Sequence, residues 1–310
     1  MAHQKKILNF VDQSSYLFSG YILAQLKKKK TLTLIDRVIE GSDKTVAEAV
    51  IVFLSAIRYL SKDSDAFSSL EKTDSFQEFI KANEGSLIDL SLQRKVQGNL
   101  PERGLPLLEI FSKKIPGSSI AVIELGASYG LIGRCLLDPF KMIERKGRYF
   151  SQEQKIPENI KGIDYYLGID LDPPDKEWLL ISTWHERLAW RLRNLLEDLQ
   201  PDPRFRVIKA NAFGFPGLEP VRELLGKNPR VIVLTSFMLY QLDDIRQKQL
   251  KAEIGKFVED VDGYWINQDV MMASVASTRS RDEYFIELNE KRIIDLPDDK
   301  CITWEWVVGG

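Results

Sequence analysis

The chain has 310 residues, 44% of them apolar and 28% charged, and its 43 Lys and Arg nearly balance 45 Asp and Glu at a formal net charge of −2. This is the make-up of a globular chain long enough for one large domain or two, with no global field drawing it to nucleic acid or an anionic membrane. Two widely separated cysteines, Cys135 and Cys301, and two histidines, His3 and His185, supply neither a disulfide framework nor a zinc ligand set. No leader-like charged and apolar sequence opens the chain, and the most apolar segment, 46–60, carries Glu48 and Arg58 and is too short for a bilayer, so a cytoplasmic location with no metal is the expectation.

Residues 1–118 are patterned as helices. Ile7, Phe10 and Val11 recur at i, i+3, i+4, and Tyr16, Leu17, Tyr21, Ile22 and Leu23 follow after a Ser14-Ser15 cap and turn. The Lys27–Lys30 run reads as a solvated helix end, favoured there by the helix dipole. Thr45 to Leu60 is expected as an amphipathic or buried helix, and Asp63, Ser64 and Asp65 mark the loop after it. A further helix runs from about Ser86 down to Gly98, and Pro101 begins the next. Arg94, Gln97, Asn99 and Arg103 thereby gather at a helix–turn–helix junction. They either line the mouth of a crevice or close the loop by hydrogen bonding.

Ile120 to Leu125 is apolar except for Glu124, with no alternation, as in a parallel strand buried on both faces. Gly126 and Gly130 bracket the loop that follows, where glycine permits a tight turn and a ligand's close approach to backbone N–H groups. The order G-x-x-x-G-x-x-G is not the G-x-G-x-x-G of a dinucleotide site. E-x-G-x-x-x-G after a buried strand instead looks like the first motif of class I S-adenosylmethionine (SAM) methyltransferases. The polar segment 139–163 reads as an insertion, because Glu124 and the next strand-end acid, Asp170, are 46 residues apart instead of about 20. Tyr165–Asp170 is the second strand, stopped by Pro173. An acid there accepts from both ribose hydroxyls, at about 1.5–3 kcal/mol for each charge-assisted bond. Asp170 fills that role, with Asp172 as the alternative.

Lys176 to Gln200 is expected as one long helix with Trp178, Leu179, Trp184, Leu188 and Leu192 in the core, His185 structural, and Arg187, Arg191 and Arg193 solvated. Phe205 to Ala212 holds the third strand and its exit. Asn211 stands where SAM-dependent methyltransferases commonly carry an Asp toward the adenine amino group, and it keeps a carbonyl acceptor. Val231 to Leu234 is the fourth strand, ending in Thr235-Ser236. Tyr264 to Val270 is the fifth, with Asn267, Gln268 and Asp269 at its end. Met271 to Arg281 is expected as a loop, and Tyr284–Leu288 and Cys301–Val308 as antiparallel strands closing the sheet.

Three motifs together resemble an uncharacterised bacterial family, catalogued as a domain of unknown function, with a helical N-terminal part before a methyltransferase-like core. They are R-x-V-Q-x-N-x-x-x-R (Arg94, Val96, Gln97, Asn99, Arg103), E-x-G-A-S-x-G-L (Glu124, Gly126, Ala127, Ser128, Gly130, Leu131) and G-I-D-L-x-P (Gly168, Ile169, Asp170, Leu171, Pro173). The resemblance spans most of the chain and departs at Leu100, where an acid is expected after Asn99. It implies an α/β fold: a Rossmann-like class I methyltransferase sheet, mostly parallel, over 119–310, preceded by an all-helical region at 1–118. It names no reaction.

The expected function is methyl transfer from SAM to a small molecule or a protein side chain. Gly126, Ser128 and Gly130 would hold the methionine end beside Glu124, Asp170 the ribose and Asn211 the adenine. Thr235, Ser236 and Tyr240 would face the acceptor, with Arg94, Gln97, Asn99 and Arg103 as lid or clamp. Thr and Ser are poor general bases near pH 7, so a non-catalytic SAM-fold binding or regulatory protein is the alternative. A nicotinamide-dependent oxidoreductase is disfavoured by the glycine spacing.

Overall fold

A computed structural model of the chain describes residues 3–13, 20–42, 44–61, 75–95, 100–117, 119–183, 186–271, 283–296 and 304–307. Gln97, Asn99, Trp184, His185, Cys301, the Ser14-Ser15 and Asp63–Asp65 turns and the loop at 272–281 lie outside the described residues. Two compact units result. One comprises Met1–Gly98 and Asp175–Leu192, the other Asn99–Pro174 and Arg193–Gly310.

The first unit is helical: α1 (Gln4–Gln13), α2 (Gly20–Leu26), α3 (Lys29–Glu40), α4 (Val46–Leu60), α5 (Ser75–Ala82) and α6 (Glu84–Gln93). Thr45 caps α4 by accepting the Glu48 N–H at 3.2 Å. Ala49, Val50, Val52, Phe53, Leu54, Ala56 and Ile57 are all buried, so α4 is apolar nearly all round because it is the helix the others surround. The segment expected as one helix after the second strand is two. The first is α10 (Lys176–Ile181), and it joins this unit's core. Asp175 caps it through the Trp178 N–H at 2.7 Å, and the Trp178 indole N–H donates to the Lys95 carbonyl at 3.0 Å. Trp178 packs edge-on against Tyr59, with centroids 5.8 Å apart. The second, α11 (Glu186–Asp198), begins in this unit and ends in the other. Arg191, expected in solvent, is buried.

The second unit is built on an eight-stranded sheet ordered β3-β2-β1-β4-β5-β6-β7-β8. The strands are β1 (Ile120–Leu125), β2 (Tyr165–Asp170), β3 (Phe205–Lys209), β4 (Arg230–Ser236), β5 (Tyr264–Met271), β6 (Glu283–Leu288), β7 (Lys291–Leu296) and β8 (Glu305–Trp306). The first five run parallel and the last three antiparallel. The chain builds β1, β2 and β3 outward in one direction, then returns to lay β4 on the other side of β1. Open α/β sheets bind ligands in the crevice outside the carboxyl ends of the strands at such a reversal, which here falls between β1 and β4. Helices α12 (Glu219–Leu225) and α13 (Asp244–Asp260) cover one face, through Val221, Leu224, Leu250, Ile254 and Phe257 against Ala121, Ile123, Leu167, Val231 and Val233. On the other face lies α8 (Leu131–Leu137), beside the 3-10 turn Pro101–Gly104 that leads into α7 (Leu105–Lys114).

Further details depart from expectation, among them the end of α6 at Gln93 where the helix was expected to reach Gly98. The turn at 101–104 and α7 belong to the sheet unit, so the helical unit's first segment stops at Gly98. Strand β7 was not anticipated. It pairs with β6 across a turn in which Asn289 and Glu290 both take positive φ, at 49° and 64°, the backbone of a two-residue hairpin. The 139–163 segment contains α9 (Pro139–Glu144) and then packs onto its own unit: the Lys155 ammonium donates to the Trp304 carbonyl at 3.0 Å and that of Lys161 to the Ile115 carbonyl at 2.7 Å. Among the described residues, no helix is long and apolar enough to cross a membrane, and no group of three or more His, Cys, Asp or Glu could hold a metal ion.

Candidate functional site

The crevice is assembled from the loop after β1. The N–H groups of Gly126 and Ala127 both donate to the Ile169 carbonyl, at 2.8 and 3.2 Å, folding the loop back over β2. Ser128 takes a left-handed backbone, φ 52°, and its N–H donates to Asp170 Oδ2 at 2.7 Å. Gly130, at φ 75°, opens α8, and a Cβ there would come within 2.7 Å of Phe205 and 2.8 Å of Val207. Glycine is thus required by conformation and by space at once.

Asp170 is half-buried. Its second oxygen accepts the Asp172 N–H at 2.9 Å. Each oxygen therefore orders the loop with one lone pair and keeps another. Asp172 turns outward to Lys209 at 2.8 Å, an exposed pair that contributes little.

Glu124 is wholly buried. The Tyr166 hydroxyl donates to its Oε2, while Oε1 has no hydrogen-bond partner. Burial drives its pKa up; the Tyr166 bond pulls it down, Asp170 pushes it up and Arg103 pulls it down, with a net value of about 8. The Ser128 hydroxyl is also buried without a partner. Two buried polar atoms four residues apart, Glu124 Oε1 and Ser128 Oγ, are thus left without a partner at this loop, an exception among buried polar groups.

At the ends of β4 and β5 the two faces of the sheet divide the expected residues. Thr235 is fully buried on the α13 side. It donates to Asn267 Oδ1 at 2.9 Å and accepts from the Trp265 indole at 3.1 Å. Ser236 lies on the Glu124 side and donates to Gln268 Oε1 at 3.0 Å; the Gln268 amide reaches the Arg103 carbonyl at 3.4 Å. Phe237 holds a left-handed backbone at φ 53°, and its ring lies 4.0 Å beneath the Arg103 guanidinium. Bulky residues adopt that conformation only where their surroundings enforce it.

The structure thus brings Glu124, Gly126, Ser128, Gly130 and Asp170 together, with Ser236 and Arg103 beside them. Arg103, expected as part of a lid or clamp, is 8% exposed with its guanidinium over Phe237. Tyr240, in the turn Leu239–Gln241, is 42% exposed. Asn211 is exposed, its side-chain carbonyl occupied by the Phe213 N–H at 3.0 Å. Arg94 belongs to the helical unit, where it pairs with Asp175 at 3.0 Å and lies over the Trp178 ring. Sequence reasoning missed Tyr166, Gln268 and Phe237. Tyr166 could not be placed from the sequence, because the parallel register that sets it beside Val122, on the face that carries Glu124, exists only once β1 and β2 pair. Gln268 signalled itself as an amide inside a buried strand. Nothing in the sequence announces the left-handed Phe237.

Comparison of the chain with protein-family models and with curated proteins found no match.

Proposed function

We propose that this protein is a SAM-dependent methyltransferase acting on a small molecule or a protein side chain. The observation that carries the reading is the convergence of Glu124, Ser128 and Asp170 on one glycine loop at the switch point between β1 and β4. The donor set suits such a cofactor. Unpartnered Glu124 Oε1 and Ser128 Oγ, with the spare lone pairs of Asp170, form a set rich in acceptors. That set fits an ammonium and ribose hydroxyls, and the carboxylate of Asp170 beside it disfavours a pyrophosphate. Gly126, Ser128 and Gly130 would hold the methionine end, Asp170 the ribose and the exposed Asn211 amide the adenine.

When bound, SAM supplies a methyl group on a sulfonium, transferred by in-line displacement. The protein's contribution is alignment, worth up to about 7–11 kcal/mol of the barrier. Asp170 orders the loop while it binds, Arg103 and Phe237 stiffen the β4 exit, and Tyr240 is the exposed group nearest in sequence to the expected acceptor side.

The second reading is a SAM-fold binding protein without turnover. It is favoured by the commitment of the Thr235 hydroxyl to Asn267 and of the Ser236 hydroxyl to Gln268, which removes both from simple acid–base use. Calorimetric titration with SAM and its demethylated product separates these possibilities. We expect saturable binding, weakened about tenfold or more in Asp170→Ala, with thermal unfolding of the variant run beside it because Asp170 also holds the Ser128 N–H. No binding at millimolar ligand overturns the cofactor assignment. Binding without methyl transfer to any acceptor in a broad panel favours the second reading.

A further inference from the structure

Glu124 is the least settled side chain beneath the glycine loop. Its carboxyl has no exposure, one hydrogen bond on Oε2 and none on Oε1. The donor, Tyr166, is itself fixed: its ring stacks on Phe205 at 5.1 Å and fills the space where a Cβ on Gly133 would stand. Tyr166 therefore cannot swing away to free the acid. The titratable groups that face Glu124 are Tyr166 from within β2, Asp170 from the end of β2 and Arg103 from the turn before α7. Asp170 repels a charge on Glu124, and Arg103, whose guanidinium lies over Phe237, attracts one, but burial is the largest influence and favours the neutral acid. A carboxylate buried with a single donor and a like charge nearby is disfavoured relative to the neutral acid.

We infer that Glu124 is a neutral acid in the free protein, and that the glycine loop selects a positively charged ligand whose docking expels the Glu124 proton to solvent. The balance is one carboxylic acid in the free protein, one carboxylate beside a cationic ligand in the complex, and one proton released to buffer. This rests on the SAM reading for the ligand's identity and deepens it: the cofactor's charge is read as well as its shape. A polyanionic dinucleotide would have the opposite effect and keep the proton on Glu124. Burial, the largest of the opposing influences, leaves the group at about 8, so most of a proton is available near neutral pH.

The test is calorimetry of the full chain with SAM at pH 7 in two buffers of different ionisation heat, beside Glu124→Gln and Tyr166→Phe. The wild type should release close to one proton per SAM bound, and its affinity should rise with pH up to about 8. Glu124→Gln should lose that release and the pH dependence with it. Tyr166→Phe, which removes a donor that stabilises the charged form, should move the window to higher pH. No release, proton uptake, or equal release by Glu124→Gln overturns the proposal. A ligand-free arm separates this failure from that of the cofactor assignment. Between pH 5 and 8 the wild type should lose stability relative to Glu124→Gln, and parallel profiles overturn the neutral acid whether or not SAM binds. Diverging profiles in a protein that ignores SAM support the neutral acid and overturn the cofactor.

Discussion

Two helical glycines, Gly133 in α8 and Gly255 in α13, sit in opposite circumstances. A Cβ at Gly133 would meet the Tyr166 ring at 2.4 Å, whereas one at Gly255 would meet nothing within 4 Å. Gly133→Ala should therefore push on a ring fixed by Phe205 and Glu124, costing about 1–3 kcal/mol as other overpacked cores do. Gly255→Ala should stabilise by about 0.4–1 kcal/mol, through the lower entropy of the unfolded chain. Urea denaturation of the two variants checks both signs, and a stabilised Gly133→Ala would contradict the packing described around Tyr166. The glycine loop that leads into α8 was readable in the sequence. The need for glycine at 133 was not, because the atom that forbids a side chain belongs to β2.

At the scale of elements, the two-residue β8 is held from a distance. Glu109 of α7 accepts the Trp304 indole N–H at 2.8 Å, the Trp306 indole at 3.1 Å and the Lys113 ammonium at 2.5 Å. Burial raises the Glu109 pKa, but the bonds from Lys113, Trp304 and Trp306 outweigh it and leave it below the ordinary 4.5. A carboxyl depressed by folding stabilises above its unfolded pKa, and that share is lost as pH falls below about 4.5 through the folded value. Glu109→Gln should lower stability at pH 7 by about 1.5–3 kcal/mol. It should also flatten the acid limb, followed by tryptophan fluorescence during unfolding. An unchanged acid limb would remove Glu109 from this role. The sequence marks 301–308 as a strand, but its anchor lies 195 residues earlier, and no local pattern carries such a separation.

For the whole molecule, the decisive fact is that the helical unit is completed from within the sheet unit's sequence. Trp178 is 1% exposed and belongs to the same apolar cluster as Phe53, Ile57 and Phe76. Trp178→Ala should cost about 3–5 kcal/mol and lower hydrogen-exchange protection chiefly in α1–α6. Loss confined to the strands would contradict the division into units. A fragment beginning at Asn99 should be poorly soluble, since it carries Trp178 without the apolar cluster of the helical unit that buries it; a soluble, monodisperse fragment would argue otherwise.

The strands β1 to β5, the helical start and the glycine loop followed from the sequence alone, because apolar runs, 3.6-residue periodicity and glycine spacing are local properties. Alternation along β4 also required Thr235 and Ser236 to face opposite ways. Which of those faces borders Glu124 was settled by the pairing of β1 with β4, and the burial of Arg103 over Phe237 by the packing of the 101–104 turn. The neighbours that bury a carboxyl, orphan an oxygen or claim a hydroxyl come from other strands. Contacts between residues tens to nearly two hundred positions apart exist only once the sheet has closed.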